Sequence, residues 1–343
     1  MLDQAARQSI TVVISAKFSV GSNAEIRVAD EQAPIRDVDE YFGSPGQTSV
    51  RYEADVILEK PFVDVLINGA AYSPGGSLAE RVMVSASLGS MHKQLVVTGD
   101  RFWMRGLRSG PSSPQPFVKM ELIYERAYGG AIKGAADHRN PIGVGFQGAR
   151  SHIPEIGTEV PNTEYPSMMI RSPRDHPEPA AFGIVARNWM PRIGLAGTFD
   201  DAWQGEQWPL LPTDFDNRFF QAAPTDQQLQ SVTGGEVVDV RNMTPDGQWT
   251  FRLPALAVPV RLLYSSRTDS ADLVIDTVLL EPELHRVSIT ARKRIVLRPE
   301  YGPLEEVVFG EPNPGWWRSR VVGKRYLDWA RTEGGARGFR YFL

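Results

Sequence analysis

Glycine and proline punctuate this chain from end to end, and the runs between them alternate apolar and polar residues. There are 31 glycines and 26 prolines among 343 residues. They recur along the whole length rather than gathering in one linker, so they read as turns. In Val50–Leu58, Val50, Tyr52, Ala54, Val56 and Leu58 would share one strand face, with Arg51, Glu53 and Asp55 on the other. Val287–Arg292 repeats the pattern. Period two with one apolar face is the signature of half-buried antiparallel strands.

The same reading predicts strands at Ile10–Val20, Asp64–Ala71, Arg81–Leu88, Lys93–Met104, Val118–Tyr128, Glu236–Val240, Gln248–Leu253, Val260–Ser265 and Asp272–Leu280. No amphipathic helices separate them, so the expected fold is mainly β: an antiparallel sandwich or distorted barrel with long ordered loops and few short helices. Residues 1–300 are expected to form one β-rich domain. Within it, 129–230 reads as a loop-rich, aromatic-rich insertion over the core, carrying a short helix near Asp216–Ala223. Residues 301–343 form a C-terminal extension, in which Val321, Tyr326, Leu327 and Trp329 have the spacing of a short docking helix.

Composition excludes several functions. The chain has no cysteine, which removes disulfides, thiolate nucleophiles and cysteine-based metal sites. A net charge of −4 leaves no basic excess for a nucleic-acid backbone. The first residues carry only a five-residue apolar run, Ile10–Ile14, too short for a secretory core or a membrane span. A cytoplasmic address with no membrane partner is the expectation.

Motifs for chemistry are sparse. Gly143-Val144-Gly145-Phe146-Gln147-Gly148 fits a dinucleotide-binding pattern in letters. A turn precedes it and Pro154 follows too soon for the helix that would hold a pyrophosphate, so it reads as a glycine loop. Glu281, Glu283 and His285 alternate along a strand end and read as a solvated terminus rather than a metal site. Asp214 and Asp216 could hold a divalent cation, but Pro212 and Asn217 favour capping of the following turn. Neither a cofactor nor a metal is expected.

The residue types most suggestive of function are tryptophan and arginine in the loops. Arg101, Trp103, Trp189, Arg192, Trp203 and Arg218 are the types that carry binding energy at protein interfaces, and they are the candidate partner-binding residues. Covering the open ends of a β core is the competing role.

A long succession of words then adds to this reading. Lys60-Pro61-Phe62-Val63-Asp64-Val65-Leu66-Ile67-Asn68-Gly69, Ser73-Pro74-Gly75-Gly76, Val97-Thr98-Gly99-Asp100-Arg101-Phe102-Trp103 and Tyr124-Glu125-Arg126-Ala127-Tyr128-Gly129-Gly130 come first. Asn140-Pro141-Ile142-Gly143, Gly197-Thr198-Phe199-Asp200, Pro209–Phe219, Ala222–Gln228, Leu253-Pro254 and Ile275-Asp276-Thr277 follow. That order resembles the domain-of-unknown-function 2169 family, found in type VI secretion gene clusters of Gram-negative bacteria. The resemblance runs from about Lys60 to Arg292, and the last forty or so residues have no counterpart. It implies a non-enzymatic cytosolic adaptor or chaperone that binds a toxic effector and helps load it onto the valine–glycine-repeat spike protein. It brings no catalytic residues with it. Two alternatives come from the residues themselves: a metal-dependent hydrolase using Asp214 and Asp216, and a carbohydrate-binding module stacking sugars on tryptophan.

Overall fold

The computed structural model describes residues 7–104, 110–132, 134–148, 154–310 and 312–324. It divides into two compact units, one of residues 1–257 with 273–297 and the other of 258–272 with 298–343.

In the larger unit, eleven strands form two main sheets. They are β1 (Ser9–Val20), β2 (Ile26–Val28), β3 (Val63–Ile67), β4 (Arg81–Leu88), β5 (Met91–Thr98), β6 (Thr163–Glu164), β7 (Gln228–Leu229), β8 (Val237–Arg241), β9 (Gln248–Arg252), β10 (Val274–Glu281) and β11 (Arg286–Val296). One sheet has the order β7-β3-β10-β11-β1-β2, the other β6-β5-β4-β8-β9. The two face each other across one apolar core. Val65, Ile67, Val278, Leu280 and Ile289 of the first meet Val84, Leu88, Leu95, Val97, Val240 and Phe251 of the second. Strict alternation makes this possible: β4 reads exposed–buried over most of its length, and its buried positions all lie on the core side.

The result is a β sandwich, with one departure from an antiparallel plan. β3 and β10 run parallel, Asp64 facing Thr277 and Ile67 facing Leu280. They lie more than 200 residues apart in sequence, so no hairpin fixes their direction.

The six-stranded sheet is covered on its second face as well. Leu66 of β3 and Leu279 of β10 point away from the sandwich core. They enter a second cluster with Val50, Tyr124, Ala181, Ile184, Trp189 and Ala222, all from non-strand segments or short strands. Between these apolar contacts lies a buried polar layer centred on Asp64, which is fully enclosed. Its carboxylate accepts from Lys60 Nζ at 2.7 Å, Gln221 Nε2 at 2.7 Å and the Ala222 amide at 2.7 Å. Lys60 Nζ also donates to Thr277 Oγ1 on the neighbouring strand. One side chain thus joins two strands to the 221–222 segment.

A second pin works from the other sheet. Lys93 of β5 spends all three ammonium protons on the Ala181 carbonyl, Asp226 Oδ1 and Gln227 Oε1, at 2.7, 3.0 and 2.7 Å. Burial lowers its pKa to about 8, against the opposing pull of Asp226.

The Val50–Leu58 segment departs from its expected form. Only Val50–Tyr52 is strand, Val56 is 66% exposed, and Leu58 is buried beside Ile57. The segment runs over the polar layer instead of alternating across a sheet, so Glu53 turns inward to meet arginines and Val56 turns out. Val118–Tyr128 likewise yields only Lys119–Glu121 as strand before a 3-10 turn at Tyr124–Arg126.

The smaller unit holds a three-stranded antiparallel sheet in which Pro259–Tyr264 lies between Thr268–Asp272 and Leu304–Phe309. Helix Pro314–Val321 follows, its first turn closed by Asn313 Oδ1 accepting from the Gly315 amide. Arg320 ties it back to Glu305 and Glu306 at 2.8 and 2.6 Å. The helix ends at Val321, and Tyr326, Leu327 and Trp329 of the expected docking helix lie outside the described residues.

Asp64→Ala would leave a buried ammonium, a buried amide side chain and a backbone N–H without their acceptor. A loss of more than ~3 kcal/mol in unfolding free energy is expected, read from the denaturant midpoint. A change below ~1 kcal/mol would show that the polar layer is not a structural pin.

Candidate interaction surface

The segment from Met190 to Arg218 is a compact module with little regular structure, and local bonds explain its order. Asp200 caps helix α1 (Asp201–Glu206), its Oδ1 accepting from the Trp203 amide at 2.9 Å. Trp203 packs edge-on against Phe199, ring centroids 4.7 Å apart, and donates its indole N–H to the Leu210 carbonyl. Asp214 receives the amide and hydroxyl of Thr198 at 3.0 and 2.8 Å. Asp216 caps the 3-10 turn Asn217–Phe220 and pairs with Arg218 at 2.5 Å. The Phe215, Phe219 and Phe220 rings pack edge-on or tilted against one another, with centroids within 5.7 Å.

Arg192 fastens this module to the sandwich. It is buried, and its guanidinium donates to the Phe219 carbonyl at 2.9 Å, the Val185 carbonyl at 2.6 Å and Glu53 Oε1 at 2.7 Å. Arg187 reaches the same Glu53 oxygen at 2.9 Å. Burial alone would raise the Glu53 carboxyl, but the charges of Arg192, Lys60 and Arg187 outweigh it and hold the group below the ordinary glutamate range. Trp189 completes the anchor, edge-on to Tyr124 at 5.3 Å and 4% exposed.

The module also leaves several large apolar side chains in the open. Met190, Ile193, Phe199 and Trp208 are 42, 47, 54 and 68% exposed. Four large apolar side chains exposed within nineteen positions are unusual on a rigid surface, because each forgoes burial worth about 1.5–3 kcal/mol.

The six candidate binding residues therefore separate into interior and surface groups. Arg101, Trp103, Trp189 and Arg192 are all buried. Arg101 pairs with Glu164 at 2.6 Å and donates to the Pro161 carbonyl. Trp103 fills a small core with Tyr128, Val160 and Ile170. These four organise the fold and offer no direct contact surface. Trp203 is half-buried within the module and Arg218 is exposed at its edge. Ile193 and Trp208 present more surface than either tryptophan named at positions 189 and 203. Sequence reasoning had one signal for them: aromatic density in a proline-rich stretch, which does not say which ring faces out.

The other motifs resolve into structural roles. Tyr128–Gly129 and Val144–Gly145 pair in parallel. A Cβ on Gly143 would stand 2.6 Å from the Ala127 carbonyl oxygen and one on Gly130 2.4 Å from that of Gly143. Gly143 and Gly130 thus permit backbone-to-backbone contact. Glu281, Glu283 and His285 are not a solvated terminus, since Glu281 is buried. Glu281 binds Arg286 and the Tyr52 hydroxyl, Glu283 binds Lys119 and Tyr72, and His285 meets the Trp249 ring. Asp214 and Asp216 each spend both oxygens on neighbouring N–H and O–H groups. Among the described residues, no three His, Asp or Glu side chains converge.

Two cavities accompany the polar regions. One of about 50 Å³, lined by Arg36, Tyr52, Glu53, Lys60, Thr277 and Arg292, has room for bound water and little else. The other, about 260 Å³, is an open groove at Asp100, Arg101, Glu125, Arg126, Glu159 and Asn162. Within it Arg126 pairs with Asp100 and Asn162, and Glu125 binds Ser49. Its charges largely satisfy one another.

The family model described as "Uncharacterized protein conserved in bacteria (DUF2169)" matches residues 5–292 of the chain. Comparison with curated proteins and with solved structures gave no significant match.

Two outcomes separate anchor from surface. Trp189→Ala is expected to cost about 3–5 kcal/mol of unfolding free energy and Trp208→Ser less than ~0.5 kcal/mol, both by urea titration. A large loss on Trp208→Ser would place that ring in the structural set. For acid stability, a carboxyl held low in the folded state stabilises above its unfolded value of 4.5, and that contribution is lost as pH falls through the folded value. Wild-type stability is thus expected to decline below pH 4.5 more steeply than that of Glu53→Gln. Parallel curves would exclude Glu53 as the acid-sensitive anchor.

Proposed function

The chain belongs to the DUF2169 family of bacterial proteins, and from that premise we propose that it is a non-enzymatic adaptor. It works in the cytoplasm of a Gram-negative cell, binds a toxic effector of the type VI secretion system, and helps deliver it to the valine–glycine-repeat spike protein. The observation that carries this reading is the Met190–Trp208 surface: exposed large apolar side chains on a support fixed by buried ion pairs. A protein that shields an aggregation-prone part of a client needs such a face. Exposed edges at β2 and β9, which close the two sheets on one side each, offer backbone groups for strand addition as a second mode of contact.

The alternatives find less support in the geometry. A hydrolase built on Asp214 and Asp216 would need carboxylate oxygens free for a metal or a proton, whereas both groups hold backbone and side-chain donors. Sugar stacking calls for coplanar exposed rings, whereas Trp103, Trp189 and Trp249 are buried and Phe199 meets Trp203 at 73°.

The test is capture from cytosol expressing the whole secretion cluster, with this chain as bait and mass spectrometry of what co-purifies. Recovery of a toxin encoded beside it, with or without the spike protein, is the expected result. A bait that returns alone from such an extract overturns the adaptor role.

A further inference from the structure

The charge around the exposed apolar module is one-sided. Between Met190 and Arg218 the acidic residues are Asp200, Asp201, Glu206, Asp214 and Asp216, and the basic ones are Arg192 and Arg218. The two cations are already occupied: Arg192 is buried on Glu53, and Arg218 is forked onto Asp216. Asp200, Asp201, Glu206 and Asp214 are exposed. None of the four has an ion-pair partner among the described residues. Hydrogen bonds to Trp203 and Thr198 hold the Asp200 and Asp214 side chains in place, and those Thr198 bonds keep the Asp214 carboxyl below its ordinary range. Ile193, Phe199 and Trp208 thus belong to an exposed stretch of chain that carries four carboxylates without an ion-pair partner among the described residues.

We propose that this face docks a cationic, apolar segment of the protein cargo: large aliphatic or aromatic side chains flanked by lysine or arginine. The role of the cargo rests on the adaptor reading; the chemistry of the surface stands on its own geometry. Apolar side chains of the segment cover Ile193, Phe199 and Trp208, and its cations neutralise the four carboxylates while an arginine can lie flat on the indole of Trp208. The same field selects against other occupants. Anionic lipid surfaces and nucleic-acid backbones would be repelled by four exposed carboxylates, and an acidic peptide would meet like charge.

The test uses two short fluorescein-labelled synthetic peptides of leucine, tryptophan and lysine, the second with every lysine replaced by glutamate, read by fluorescence anisotropy against the full chain. The lysine peptide is expected to bind and to weaken as salt rises, and the glutamate peptide not to bind. Asp201→Lys combined with Glu206→Lys, and separately Trp208→Ser, are each expected to raise the dissociation constant on the order of tenfold. Both change exposed side chains that make no hydrogen bond or ion pair among the described residues, and unchanged melting midpoints confirm their folding. The same charge change placed elsewhere, Glu121→Lys with Asp246→Lys, is expected to leave binding unchanged. Absence of binding, or equal loss in that control, overturns the proposal. The variants then go back into cytosol capture. Cargo retained by both surface variants refutes this docking face and leaves the adaptor reading standing. Peptide binding at this face with no cargo captured from cytosol refutes the adaptor reading and leaves the surface assignment intact.

Discussion

The structure depends on charges buried beneath the outer face of the six-stranded sheet. Asp64 and Glu53 are carboxylates in the interior, and each is met by several donors: Lys60, Gln221 and the Ala222 amide on one, Arg192 and Arg187 on the other. Removing two charges from water costs several kcal/mol per ion, and apolar residues of the same volume would often serve stability as well. What apolar residues would not provide is direction. A guanidinium fork donates only in its own plane, so Arg192 fixes where the Val185 and Phe219 carbonyls stand relative to Glu53. Loops with almost no ladder hydrogen bonds are thereby held in one arrangement against the sheet.

That constraint explains why the module above can leave large apolar side chains exposed. Its internal order comes from caps and side-chain bonds, Asp200 to Trp203, Asp214 to Thr198 and Asp216 to Arg218. Ordering by polar contacts releases Ile193, Phe199 and Trp208 from core duty. In an ordinary loop those side chains would collapse inward and the backbone would follow. Here the backbone is already committed, and the rings remain at the surface.

Much of the sandwich was legible in the residues. β4 spans Arg81–Leu88 as its alternation predicts, and β9, β10 and the Pro259–Tyr264 strand fall within two residues of expectation. Capping at Asp216 could also be read, because Pro212 before and Asn217 after favour a cap over a cation site. Val50–Leu58 misled because it alternates for a different reason: Glu53 and Asp55 face inward toward arginines, which is the reverse of the rule that polar residues face water. The parallel pairing of β3 with β10 leaves no local trace either, since strands so far apart share no turn. The candidate surface was half visible. Tryptophan and arginine drew attention to this stretch of chain, in which Trp189 and Arg192 are buried anchors while Ile193 and Trp208 are exposed. Residue type tells what a side chain can do in a contact; only the path of the backbone decides whether the contact is internal or external.

A fixed support beneath an apolar face has a thermodynamic consequence for any partner. Binding a flexible client already costs the ordering of the client, on the order of 1–2 kcal/mol per residue fixed. If the receiving loops had to order at the same time, that cost would be doubled along the contact, and a small apolar patch would not recover it. With Arg192, Glu53 and Trp189 having ordered the loops during folding, the face meets its partner preorganised, and only the partner's entropy remains to be offset. The unpaired carboxylates add range rather than depth: exposed charges accelerate encounter and sort partners, while release is governed by the apolar contacts. Under the adaptor role proposed above, a carrier that must hold its cargo until delivery and then let it go would be served by that division, in which capture would be electrostatic and fast and retention would scale with the few exposed rings.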